Sequence, residues 1–226
     1  MRKAFFSRPA AIEKKEVLRI QYVMQIGIIT VQKPDYHPNL RLMEAARQTG
    51  HRATLLDPYR LWPVIQDGQL DLIGENAAAL PQVVLPRQGA QIGDACLALI
   101  RQIQRLGTVL VNGPEAIAIA RNKFLTQQTL TAAGLRCPDS VFINDTAGFF
   151  QAVDRLGGYP VVAKRVSSRQ GEGVVRIMNR QDARQRALST LDRRSGLIVQ
   201  HYLPPERRRD LRALVVGGQL VCAAEL

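Results

Sequence analysis

Residues 161–177, VVAKRVSSRQGEGVVRI, hold two β-branched runs around a small, polar, glycine-containing centre. An ordinary hairpin needs only about two to five turn residues. Here Lys164 sits near the end of the first run, and a Ser-Ser-Arg-Gln-Gly-Glu-Gly loop precedes the second. Gly171 and Gly173 have no side chains, so their backbone N–H groups can approach phosphate oxygens closely. Lys164 supplies a point charge for the same oxygens. Strand, lysine, glycine loop and returning strand together read as a lid over an anionic ligand; the alternative is a plain solvent loop.

The rest of the chain limits what that ligand can be. With 226 residues, 46% hydrophobic and 22% charged, the chain can bury a sizeable core as one large or two small domains. It has no apolar run near the roughly 20 residues that span a bilayer, and residues 1–23 lack the apolar centre of a secretory signal. Cys96, Cys137 and Cys222 are scattered, without metal-ligand spacing, and His37, His51 and His201 do not cluster with them. A reduced, cytoplasmic protein with its cysteines in the core is the expectation. The formal net charge of +12 fits an anionic small ligand or an acidic partner. Aromatics are few and not interleaved with the basic residues, which argues against specific nucleic-acid recognition.

Two units follow from the periodicity. QIGIITV, the helical pattern of PNLRLMEAARQTGH with Gly50 as its stop, and RATLLDP make a βαβ opening, hence a parallel sheet. AALPQVVLPR and TVLVNGP add two strands, with an amphipathic helix ACLALIRQIQRLG between them. No G-x-G-x-x-G follows the first strand and no G-x-x-x-x-G-K-[ST] occurs, which disfavours dinucleotide and P-loop folds. After Pro114 one long helix is expected through EAIAIARNKFLTQQTLTAAG, carrying Lys123 inside it. Then come the strand SVFIN, a helix capped by Asp145 or Thr146, the two strands of the opening stretch, a helix over about 180–191, the strand GLIVQHYL, and a hairpin turning at Gly217-Gly218. Asp210 and Arg212 are expected to flank one buried position on a strand.

Lysine on a helix, lysine on a strand, glycine loop, strand with a polar-aromatic end, then Asp-x-Arg: this order resembles the ATP-grasp superfamily. It is most similar to the RimK-type ligases that add glutamate to a protein or small molecule. The resemblance rests on NGPEAIAIARNK, YPVVAKRVSSRQGEGVV, IVQHYLPP and DLRALVVGGQLVCAAE, and runs from about Gln25 to the last residue. It implies an N-terminal extension (1–23), a parallel α/β pre-ATP-grasp domain (24–115), and an ATP-grasp α+β domain (116–226) that is incomplete.

By that resemblance Lys123 and Lys164 hold ATP phosphates, and the loop with Gly171 and Gly173 covers them. Gln200, His201, Tyr202 and Leu203 line the adenine through backbone groups, with His201 where the family often has glutamate. Asp210 faces the ribose or stabilises the hinge, and Arg212 faces phosphate or the bound acyl group. The family's Mg²⁺ ligands lie on later strands that this chain lacks; Glu225 does not match them. The expected activity is ATP-dependent carboxylate–amine ligation through an acyl phosphate, on an acidic protein or small-molecule acceptor; the alternative is a non-catalytic nucleotide-binding protein. The last strand would leave an edge uncovered for a second copy or a partner chain.

Overall fold

The computed structural model describes residues 22–87, 93–168, 172–207 and 209–225. Its N-terminal unit is built from β1 (Gln25–Ile29), α1 (His37–Gln48), β2 (Arg52–Leu56), β3 (Leu61–Gln66), β4 (Gln69–Gly74), β5 (Val83–Pro86), α2 (Asp94–Arg105) and β6 (Val109–Leu110). Strands β2-β1-β5-β6 form one parallel sheet. Ile29, Leu56 and Val84 of this sheet pack with Leu97, Leu99, Ile100 and Ile103 of α2. Each such fully buried aliphatic side chain contributes about 1.5–3 kcal/mol from removal of apolar surface from water.

The hairpin β3–β4 was not expected from the sequence. Its alternation is blurred because LWPVIQDGQLDLIG contains Pro63 and leaves Trp62, Ile65 and Ile73 exposed. Leu61 and Leu72 alone enter the core from it. Gln102 of α2 ties the hairpin down, its amide donating to the carbonyls of Val64 and Asp71. Cys96 is buried in the same core, whereas Cys137 is half-buried and Cys222 exposed, so the three cysteines are not uniformly core residues.

The second unit opens with α3 (Pro114–Arg121) and α4 (Lys123–Ala132), two helices rather than the single long one expected. Asn122 breaks the run: its backbone is extended, and its side chain accepts from the N–H groups of Phe124 and Leu125. An asparagine oxygen satisfies donors that a continuing helix would have paired internally, so a new helix starts there. Lys123 is consequently the first residue of α4.

Next come β7 (Ser140–Ile143), α5 (Thr146–Arg155), β8 (Val161–Arg165), β9 (Val174–Ile177), α6 (Arg180–Asp182) and β10 (Leu197–His201). Asp145 caps α5, accepting from the N–H of Gly148 at 2.6 Å. The helix expected over about 180–191 is irregular: α6 passes into a π turn (Ala183–Ala187) and a 3₁₀ turn (Leu188–Thr190). The strands form an antiparallel sheet in the order β7-β10-β8-β9. One face, with Val161, Ala163, Val199, Leu197 and Ile177, packs on Phe149, Ala152 and Val153 of α5 and on Ala183 and Ala187.

The chain closes with β11 (Leu211–Val216) and β12 (Gln219–Glu225), turning at Gly217 and Gly218 as expected. This hairpin is a sheet by itself, and its residues are exposed. Leu211 is 65% exposed, so Asp210 and Arg212 do not flank a buried position.

Candidate functional site

Alternation along a strand sends successive side chains to opposite faces. Since Val161 and Ala163 face the α5 core, Val162 and Lys164 face away from it. The register extends that second face across all four strands in two rows: Arg176, Val162, Gln200 and Ser140, then Val174, Lys164, Ile198 and Phe142. Helix α4 contacts this face through Phe124, whose ring lies 5.5 Å from that of Phe142. The first residue of α4 is Lys123, and its backbone N–H donates to the carbonyl of Val166 just beyond β8 at 3.0 Å.

Lys123 and Lys164 thereby meet beside the start of the glycine loop. The Lys123 ammonium donates to the carbonyl of Arg165 (3.2 Å) and to the carbonyl (3.2 Å) and hydroxyl (2.8 Å) of Ser168. The Lys164 ammonium donates to the side-chain oxygen of Gln200. Every one of these acceptors is neutral, and neither lysine takes part in a salt bridge among the described residues. Burial holds both ammonium groups below the ordinary lysine value, and for Lys164 the neighbouring charge of Lys123 adds to the effect. Two desolvated cations with neutral partners make a site that lacks its counter-charge, which an anion can supply.

The other expected residues divide. Gln200 is buried, but through its side chain as well as its backbone: it accepts from Lys164 and donates to the Ser140 hydroxyl at 2.8 Å. His201 is exposed, and its N–H already pairs with the carbonyl of Asp139 at 2.9 Å. Tyr202 accepts a 3.1 Å hydrogen bond from Arg176, whose guanidinium also lies 5.3 Å from the centre of the phenol ring. Leu203 is half exposed. Gly173 takes φ +66°, and its carbonyl accepts from the Arg165 N–H at 2.8 Å, so it ends the β8–β9 ladder. Gly171 lies outside the described residues, as do 169 and 170 of the same loop.

Asp210 and Arg212 are not brought to the lysines by any hydrogen bond or ion pair among the described residues. The ion pair at that hairpin is Arg209 with Glu225, at 2.7 Å through both carboxylate oxygens. No group of three or more His, Cys, Asp or Glu side chains among the described residues could hold a metal ion. No described helix is long and apolar enough to cross a membrane. Ser140 and Arg176 carry no sequence signal, because only the strand register places them here; Ser168 lies in the loop already read as a lid, but its bond to Lys123 depends on the α4–β8 contact.

The described architecture is a parallel α/β unit followed by an antiparallel α+β unit, with Lys123 and Lys164 brought together beside the connection from β8 to β9. Two family models match, the RimK pre-ATP-grasp domain over residues 24–117 and the RimK-like ATP-grasp domain over residues 120–226. The chain belongs to the RimK-type ATP-grasp family. It is 36% identical over 191 residues to a ribosomal protein bS6–L-glutamate ligase of Escherichia fergusonii, covering 82% of this chain and 62% of that protein. It is 29% identical over 202 residues to a probable α-L-glutamate ligase of Shewanella frigidimarina, covering 88% and 67%. The chain thus spans about two thirds of the length of these relatives. The fold is shared with a RimK-domain ATP-grasp protein of Sphaerobacter thermophilus (TM-score 0.68, 20% identity, 88% of this chain and 71% of that one). It is shared too with the ATP-grasp ligase PsnB, solved with a precursor variant, Mg and ADP (TM-score 0.61, 20% identity, 89% and 72%).

Proposed function

We propose that this chain carries the ATP-binding part of a RimK-type carboxylate–amine ligase, working in the cytoplasm, that joins an amino acid such as glutamate to an acidic protein or small-molecule acceptor. The observation that carries the reading is the desolvated pair formed by Lys123 at the start of α4 and Lys164 of β8, held only by neutral groups. Residues 24–115 act as the pre-ATP-grasp domain and 116–226 as the ATP-grasp domain. Lys123 and Lys164 neutralise phosphate oxygens as charge develops on the transferring group. The loop ending at Gly173 covers the phosphates, and Gln200 to Leu203 border the adenine. Asp210 turns toward the ribose or the hinge, and Arg212 toward phosphate or the bound acyl group.

In the reaction the acceptor carboxylate takes the terminal phosphoryl group, giving an acyl phosphate and ADP. The amine then attacks the acyl carbon and expels phosphate, leaving an amide. Mg²⁺, expected by family, would supply positive charge against the phosphates; no group of three or more His, Cys, Asp or Glu among the described residues fits it, and no step here depends on it. Calorimetric titration with ATP tests the reading. Lys164→Met, which keeps much of the aliphatic stem, is expected to weaken binding by about 1–3 kcal/mol, the scale of a hydrogen bond to a charged group. Unchanged affinity in a folded variant removes Lys164 from the site. Glutamate-dependent ADP release then separates a ligase from a nucleotide-binding protein without turnover.

A further inference from the structure

Lys164 is aimed by something. Its stem rises from β8 opposite Ile198, one row away from Gln200, at the diagonal distance that long side chains bridge. Gln200 stands directly opposite Ser140. Its amide oxygen accepts from Lys164 while its amide nitrogen donates to the Ser140 hydroxyl, which donates in turn to the carbonyl of Pro138 at 2.9 Å. Gln200 is 5% exposed, so water does not replace either partner.

We propose that Ser140, acting through the Gln200 side chain, is a positioning residue that holds the Lys164 ammonium toward the ligand site. The donors and acceptors have one consistent order. Pro138 offers only a carbonyl, so the Ser140 proton points to it and leaves the hydroxyl oxygen as an acceptor. That oxygen orients the NH₂ end of Gln200 toward β7, and the amide oxygen is left facing Lys164. A carboxylate at position 200 would pair with the ammonium and compete with an anionic ligand. The neutral amide fixes its direction and leaves the charge free. An unanchored amide could rotate and present its NH₂ end to the lysine, repelling it.

The proposal rests on the nucleotide reading for its functional meaning, but its geometry is testable without nucleotide. In protein labelled with ¹⁵N-lysine, the Lys164 ammonium resonance reports its titration. Gln200→Leu removes the acceptor, so the midpoint is expected to fall further below the ordinary lysine value. Ser140→Ala is expected to move it in the same direction by less, and Ser140→Thr, which keeps the hydroxyl, to restore it. A midpoint that stays put in Gln200→Leu, or that Ser140→Thr fails to restore, overturns the relay whether or not the chain binds ATP.

The functional arm is a double-variant cycle read by ATP titration. Gln200→Leu is expected to weaken ATP binding about tenfold, as for loss of a hydrogen bond to a charged group. In a Lys164→Met background the same change should cost less than about twofold, because its route of action is gone. An equal loss in both backgrounds overturns the positioning role. A shifted Lys164 midpoint together with no ATP binding by the unaltered chain keeps the relay and refutes the nucleotide reading instead.

Discussion

Burial moves Lys164 and Cys96 in opposite directions for one reason: it disfavours whichever form is charged. Lys164 is lowered by desolvation and then by Lys123, whereas the Cys96 thiol is raised from 9.0 to about 11, opposed by Arg121. A raised thiol value gives a definite sign to the pH dependence. Above pH 9.0 the unfolded thiol releases its proton while the folded one keeps it, so stability is full below pH 9.0 and is lost as pH rises toward 11. Compared with Cys96→Ala, the unaltered chain is expected to lose on the order of 2–3 kcal/mol over that interval, measured by urea unfolding at stepped pH. A constant difference between the two proteins from pH 9 to 11 refutes it. At Gly173 the restriction is backbone geometry. Its φ of +66° suits glycine, and a Cβ there would lie 2.7 Å from the Arg165 stem. Gly173→Ala is expected to destabilise by roughly 1–2 kcal/mol through the left-handed backbone alone, with the flexible Arg165 side chain able to move aside.

At the scale of the element, Asn122 decides that α3 and α4 are two helices. It caps two N–H groups of α4 at 3.0 Å each. Asn122→Ala leaves those donors to water and is expected to cost about 1 kcal/mol in denaturant unfolding. It should also loosen Lys123, the residue that follows, so ATP affinity is expected to fall alongside stability. An unchanged unfolding midpoint would show that α4 is held by packing rather than by its cap. The hairpin β11–β12 behaves differently. Leu214, Val215, Val216, Leu220 and Val221 are all more than half exposed, an apolar surface of the kind that recruits other protein. Concentration-dependent association is expected in sedimentation, and Leu214→Lys with Leu220→Lys should reduce it. Equal association with and without the two lysines places the contact elsewhere.

For the whole molecule, binding and stability are linked. A ligand that occupies only the folded state stabilises it by mass action, about 2.7 kcal/mol at a hundredfold excess over its dissociation constant. ATP is therefore expected to raise the thermal midpoint, and Lys164→Met to blunt that rise at equal ATP concentration. The same scan can be run with adenosine, which has no phosphates. An equal rise with adenosine in both proteins would assign the stabilisation to the base and remove the lysines from it.

Much of this protein was legible in its sequence because its signals are local. The β-branched runs, the alternation of Val161, Ala163 and Lys164, and Gly50 and Gly217-Gly218 at stops and turns specify the α/β and α+β units, whereas the pairing of Lys123 with Lys164 came from the family resemblance and is made in space by the contact of α4 with the end of β8. The break at Asn122 was legible in principle as a capping residue, but the flanking apolar run outweighed it. What the tertiary structure alone decided is non-local. Residues 140, 164 and 200 share a row or a diagonal only through the β7-β10-β8 register, which a one-residue slip would turn to the opposite face. The β3–β4 hairpin is held by Leu61 and Leu72 in the core and by one glutamine on α2, contacts that its own blurred alternation does not announce. Leu211 is exposed because no described strand covers its hairpin, and burial depends on neighbours that the alternation of a single strand does not name.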